Sequence, residues 1–117
     1  MIVLVCGSRD WTDIDIVYKR LQSLPSSTTI VHGGCRGADM IADSVAKKLG
    51  LNIKCFPAEW NKHGKSAGPK RNQKMIDETN PELVIAFHQD IESSRGTKDM
   101  INRAKLHQIN FEIISNI

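Results

Sequence analysis

The chain has 117 residues, the length of one domain, with 40% apolar and 25% charged residues, eight Gly and four Pro; these proportions exclude a disordered, collagenous or low-complexity chain. Its apolar runs are only a few residues long, which excludes a membrane helix of about 20 apolar residues. Met1 opens straight onto a strand-like run, so neither a secretory leader nor membrane association is expected. The net charge of +3 is slight for a dedicated nucleic-acid binder. Three Cys with no C-x-x-C pair fit a reducing, cytoplasmic setting better than a disulfide framework.

Ile2 to Cys6 is apolar and β-branched and ends at Gly7, the pattern of a buried strand. Thr12, three residues before Asp15, offers a capping-box variant for a helix carrying Ile14, Val17, Leu21 and Leu24, which Pro25 ends. Thr28 to Val31 reads as the second strand, closed by His32, Gly33 and Gly34. Ala38, Ile41, Ala42, Val45 and Leu49 form one apolar helical stripe stopped by Gly50. Leu51 to Phe56 is the third strand, and Ala58 to Pro69 a polar loop. A third helix starts near Ser66 and runs to Glu78, with Pro69 in its first turn. Glu82 to Phe87 is the fourth strand; Thr97 caps a helix carrying Met100, Ile101 and Ala104; Asn110 to Ile114 is the fifth strand.

Five strands alternating with four helices predict a single α/β domain over residues 1–117, a parallel sheet with helices on both faces. Ligands of such sheets bind beyond the carboxyl ends of the strands, where strand order reverses. Four Gly-rich or charged segments follow strands and should meet on that rim: Gly7-Ser8-Arg9, Gly33 to Gly37, Glu59 to Arg71, and Ser94 to Thr97.

The densest of these is HGGCRGAD, His32 to Asp39. Gly33 and Gly34 permit a tight turn, Gly37 a close approach, and the following helix offers free amides to an anion. Glycines serving packing alone are the alternative. The segment is not a dinucleotide fingerprint, because GSRDW lacks G-x-G-x-x-G. Gly64-Lys65-Ser66 copies only the tail of a P-loop, after the wrong strand. Gly96 and Thr97 can grip a phosphate through their amides, or Thr97 can serve as a cap alone. Ser8 and Arg9 can clamp a phosphate from the sheet's centre, with a surface ion pair as the alternative.

Between Pro57 and Met75, Trp60 can stack on a base or cover the core, while Arg71 and Asn72 can hold phosphate or ribose. Glu59 is the sole carboxylate of that stretch and so its only acid–base candidate. Lys62, Lys65, Lys70 and Arg71 make a local basic loop with no acid among them. Cys35 is a small turn residue without a base partner, and Cys6 and Cys55 are expected as core thiols. His32 and Cys35 alone fall short of a zinc ligand set, and no metal or cofactor is expected.

GSRDW (Gly7 to Trp11), HGGCRGAD, PAEW (Pro57 to Trp60), AGPKRNQKM (Ala67 to Met75) and SRGTKDM (Ser94 to Met100), in this order, resemble the SLOG superfamily in its small YspA-type branch. The resemblance spans nearly the whole chain. It implies a Rossmann-like three-layer sandwich with a pocket for nucleotide-derived ligands such as ADP-ribose or nucleoside phosphates. It also brings in the LOG-type phosphoribohydrolases, which cleave the N-glycosidic bond of a nucleoside monophosphate and are commonly dimers. Gly96 and Thr97 match their P-G-G-x-G-T-x-x-E motif, and Arg71 resembles the arginine ahead of it, but Met100 stands where that motif has its catalytic Glu. Asp99 is adjacent, about 100° away around a helix.

Three functions follow, in order. The first is a binding module, sensor or carrier, for a nucleotide-derived small molecule, using Gly7, Ser8, Arg9, Gly33, Gly34, Gly37, Asp39, Trp60, Arg71, Asn72, Gly96 and Thr97. The second is a hydrolase of an N-glycosidic or phosphate bond, with Glu59, Asp39 or Asp99 in acid–base roles. The third is a single-stranded nucleic-acid-binding domain using the basic loop, ranked last because stacking aromatics are few. A homodimer is implied by the resemblance alone.

Overall fold

A computed structural model describes residues 1–116. Five strands, β1 (Ile2–Gly7), β2 (Thr29–His32), β3 (Asn52–Cys55), β4 (Leu83–Phe87) and β5 (Asn110–Ile114), form one sheet in the order β3-β2-β1-β4-β5, with every pair parallel. The helices are α1 (Ile14–Gln22), α2 (Ala38–Leu49), α3 (Trp60–His63), α4 (Ala67–Thr79) and α5 (Arg95–Leu106).

The central strands are apolar on both faces because helices cover both. Val3, Val5, Ile30, Ile85 and Phe87 pack against Val17 and Leu21 of α1 and Ala38, Ala42 and Val45 of α2. Leu4, Val31, Val84 and Ala86 point the other way, onto Met75 and Ile76 of α4 and Met100, Ile101 and Ala104 of α5. This is the expected Rossmann-like three-layer sandwich. Among the described residues no helix is long and apolar enough to cross a membrane.

Several local expectations change. Asp13, not Thr12, caps α1: its carboxylate accepts from the Ile16 amide at 3.2 Å. Trp11 fixes that entry, with its ring buried 5.7 Å from Phe87 and its indole N–H donating to the Asp13 carbonyl. Ser94, not Thr97, caps α5, its hydroxyl accepting from the Thr97 amide at 3.1 Å. The polar stretch after β3 is not all loop: it forms the single turn α3 and a 3-10 turn over Gly64–Ser66. The latter closes the P-loop reading, since the helical turn α3, not a strand and its loop, leads directly into it. Cys55 is exposed on the edge strand β3 rather than in the core, whereas Cys6 is half-buried against the second core. Burial pushes the Cys6 thiol well above its ordinary range, and partial desolvation also raises that of Cys55.

Candidate functional site

The switch point lies between β1 and β4. The chain leaves β1 through α1 toward β2 and leaves β4 through α5 toward β5, on the opposite side. The loops beyond the two strands therefore part and leave a crevice. It is a cleft of about 680 Å³ walled by all four predicted segments, within the roughly 300–1,000 Å³ usual for small-molecule sites. Gly7, Ser8, Arg9, Gly33, Asp39, Trp60, Arg71, Asn72, Gly96, Thr97 and Asp99 all line it. Gly34, Gly37 and Glu59 do not.

The β2–α2 turn is organised by its own carboxylate. Asp39 Oδ2 accepts from the amides of Gly33 and Cys35 at 3.1 and 3.2 Å, the Gly34 amide donates to His32 Nδ1, and the Ala38 amide donates to the Ser8 carbonyl. The amides of Gly33, Gly34, Cys35 and Ala38 are thus occupied, and the anion held by those of Gly33 and Cys35 is Asp39. Asp39 is buried, and burial is the main cause that lifts its pKa above the ordinary carboxylate value, against the pull of the two amides and of His32 and Arg71. His32 is buried behind it. Its Nδ1 accepts from an amide, so Nε2 carries the proton and donates to Asp43 at 2.7 Å. The hydrogen bond from Lys47 is the main cause that holds Asp43 below its usual value.

The glycines earn their positions by packing. A Cβ on Gly33 would sit 2.2 Å from Arg71 Nη1, whose guanidinium lies over that backbone and donates to the Gly33 carbonyl at 2.8 Å. Gly37, with φ of +79°, would place a Cβ 2.3 Å from the Ser8 carbonyl oxygen. Gly37 therefore locks the first and second rim loops together without reaching the cleft.

On the far wall, α4 and α5 meet through polar side chains. Asn72 receives Arg71 Nε on its oxygen and donates to Asp99 at 2.9 Å and to the Gly96 carbonyl. Asp99 also accepts from Arg103 at 2.8 Å, and Arg103 reaches Gln73. With every atom of its amide engaged, Asn72 is a brace between the helices. Met100 is fully buried in the core and is not part of the cleft wall, so the carboxylate this turn presents is Asp99, neutralised by Arg103. Glu59 lies outside, beside Lys62 on the surface; the turn of α3 carries it away from the rim.

The cleft holds an even charge balance, Arg9, Lys65, Arg71 and Arg95 against Asp10, Asp39, Asp90 and Asp99. Lys62 and Lys70 of the basic loop are exposed and do not line it. In the first turn of α5 the Ser94 hydroxyl satisfies only the Thr97 amide, which leaves the Arg95 and Gly96 amides without a partner inside the helix, and both residues line the cleft. Trp60, 49% exposed, stands on the wall with its indole near Gly68. Sequence reasoning missed His88, Gln89 and Asp90, which also line the cleft. Their significance depends on β4 lying beside β1, a fact that no local pattern carries. Among the described residues no group of three or more His, Cys, Asp or Glu is placed to hold a metal ion.

The YAcAr profile, described as the YspA, cpYpsA-related SLOG family, matches residues 1–63, more than half of the chain. The chain belongs to this SLOG family. The matched segment carries β1 to β3 and the two rim loops that Gly37 locks together. The chain is also similar to the Gene 61 protein of Mycobacterium phage D29, 36% identical over 88% of this chain and 87% of that one. Its fold is that of DNA processing protein A (DprA) from Streptococcus pneumoniae, with a TM-score of 0.78 at 21% identity. That match covers 95% of this SLOG chain and 49% of the DprA chain, so the chain corresponds to about half of that protein.

Proposed function

We propose that the cleft binds a nucleotide-derived small molecule, a nucleoside phosphate or an ADP-ribose-like compound, and that the chain works as a sensor or carrier of it. The observation that carries this reading is the convergence of a helix N-terminus with two arginines, a buried carboxylate and an exposed indole on one crevice. The anion seat is the first turn of α5, where the amides of Arg95 and Gly96 and the hydroxyl of Thr97 join the guanidinium groups of Arg9 and Arg95. Asp39 has one carboxylate oxygen committed to the turn and a second for a ribose hydroxyl. Trp60 offers its face to a base. Gly33, Gly34 and Gly37 shape this site rather than touch the phosphate, Arg71 and Asn72 hold its walls, and Gly7 and Ser8 form its floor.

A hydrolase is the second reading, favoured by one observation: burial raises the pKa of Asp39 inside a cleft, as a general acid requires. Asp99 is a weaker candidate because Asn72 and Arg103 already hold its oxygen, and Glu59 lies away from the chemistry. A nucleic-acid ligand is the third, supported by the fold shared with a DNA processing protein. The LOG resemblance further proposes a homodimer, which sedimentation tests against the chain mass of 13.1 kDa.

Calorimetry with AMP, ADP-ribose and a single-stranded oligonucleotide, followed by chromatography of the mixtures, separates these readings. Saturable binding of a mononucleotide with no free base released is the expected result. Released base that disappears in Asp39→Asn would replace it with the hydrolase. Salt-sensitive oligonucleotide binding without mononucleotide binding would replace it with the nucleic-acid domain.

A further inference from the structure

His88 and Gln89 follow β4 directly, at the switch point, and have no part in the site as argued so far. His88 is only 7% exposed yet lines the cleft. Its Nδ1 accepts a hydrogen bond from the Asp90 amide at 2.9 Å. An amide can only donate, so Nδ1 is bare and the ring proton sits on Nε2. That Nε2–H has no partner among the described residues. The ring is neutral: burial lowers its pKa, outweighing the carboxylates of Asp90 and Asp10 that pull the other way. The next residue supplies the opposite polarity, since Gln89 Oε1 is buried with no donor among the described residues. Gln89 lines the same cleft. A buried polar atom without a partner is costly, about 1–3 kcal/mol, and calls for one.

We infer that His88 and Gln89 form an uncharged recognition subsite, in which Nε2–H donates to, and Oε1 accepts from once its side chain turns into the cleft, a neutral donor–acceptor portion of the ligand, a ribose hydroxyl or a nucleobase edge. The inference rests on the nucleotide-binding reading above and deepens it. A phosphate does not suit this corner, because Asp10 and Asp90 flank the imidazole and would repel it; the anion belongs with Arg95 and the α5 amides. The ligand is thereby oriented, with its charged end toward α5 and its neutral end against the end of β4.

The test is calorimetry of AMP, ribose 5-phosphate and inorganic phosphate with the wild type, His88→Phe and His88→Gln. Phe keeps a flat ring but removes the donor, whereas Gln keeps an N–H. We expect His88→Phe to weaken AMP at least tenfold, His88→Gln to stay within about threefold, and inorganic phosphate to bind all three alike. An effect that persists with ribose 5-phosphate assigns the contact to a hydroxyl, and one confined to AMP assigns it to the base. Equal AMP affinity in His88→Phe overturns the inference while leaving the nucleotide reading intact; a wild type that binds neither AMP nor ribose 5-phosphate overturns both. Should His88→Phe fail to fold, nitrogen NMR of the wild type decides. The His88 resonances must report the Nε2–H tautomer and Nε2 must shift on adding AMP; an Nδ1–H tautomer or an unmoved Nε2 overturns the inference.

Discussion

Gly33 and Gly37 sit four residues apart in one turn and answer to different constraints. The Cβ of Gly33→Ala would meet the end of Arg71, a flexible side chain that can withdraw. The lost hydrogen bond comes from a charged donor that can return to water and costs about 1.5 kcal/mol, which the reduced entropy of the unfolded chain offsets by about 0.4–1 kcal/mol. Urea unfolding of Gly33→Ala should therefore differ from wild type by under about 1 kcal/mol, while its nucleotide affinity falls because Arg71 is displaced. Gly37→Ala meets backbone at a positive φ and should lose about 1–3 kcal/mol or more; equal melts for the two variants would refute this division. Asp39 gives a pH prediction with a definite sign. Its folded pKa is raised, so the stability it contributes is full below the ordinary value of 3.8 and is lost as pH rises through the raised value. Asp39→Asn keeps an oxygen for the Gly33 and Cys35 amides and sheds the buried charge. It should be at least as stable as wild type at neutral pH, with the difference closing as pH falls to 3.8; a variant less stable at pH 7 and equal only in acid would reverse the assignment. The glycine and aspartate composition of this turn was legible in the sequence. That its amides are satisfied from within was not, because a residue four to six positions away could as well point outward.

At the scale of elements, the strands and the long helices could be read directly, since apolar periodicity and Gly or Pro stops are local signals. The fifth strand matches residue for residue, and α4 begins one residue after the expected Ser66. Caps were less legible, because T-D and S-R-G-T each offer two hydroxyl or carboxyl groups within reach of the same amides. Packing chose between them, through Trp11 before α1 and the extended backbone of Ser94 before α5. Asp13→Ala and Ser94→Ala should each cost about 1 kcal/mol in thermal or urea unfolding, whereas the exposed Thr12→Ala should stay within about 0.5 kcal/mol. A costly Thr12→Ala with a neutral Asp13→Ala would restore the capping box. The turn α3 escaped notice because four residues are too few to show a period, and it is this turn that sets Trp60 on the cleft wall and turns Glu59 away.

For the whole molecule, the cleft exists because β1 and β4 are neighbours with connections leaving in opposite directions. A mononucleotide at a hundred times its dissociation constant should stabilise the fold by about 2.7 kcal/mol, raising the melting temperature by roughly 10 °C in a domain of this size. A flat thermal response to AMP and ADP-ribose would count against the site. The sequence by itself determined the alternation of strands and helices, the two-sided burial of the sheet, the family, and the four segments that meet on the rim. These rest on periodicity, turn chemistry and motif order, which act along the chain. Only the tertiary structure decided which amides stay free for an anion, which carboxylate reaches the cleft, and that His88 and Gln89 stand at its switch point. Those depend on strand order and on which partner occupies each polar group, and both are settled between residues far apart in the sequence.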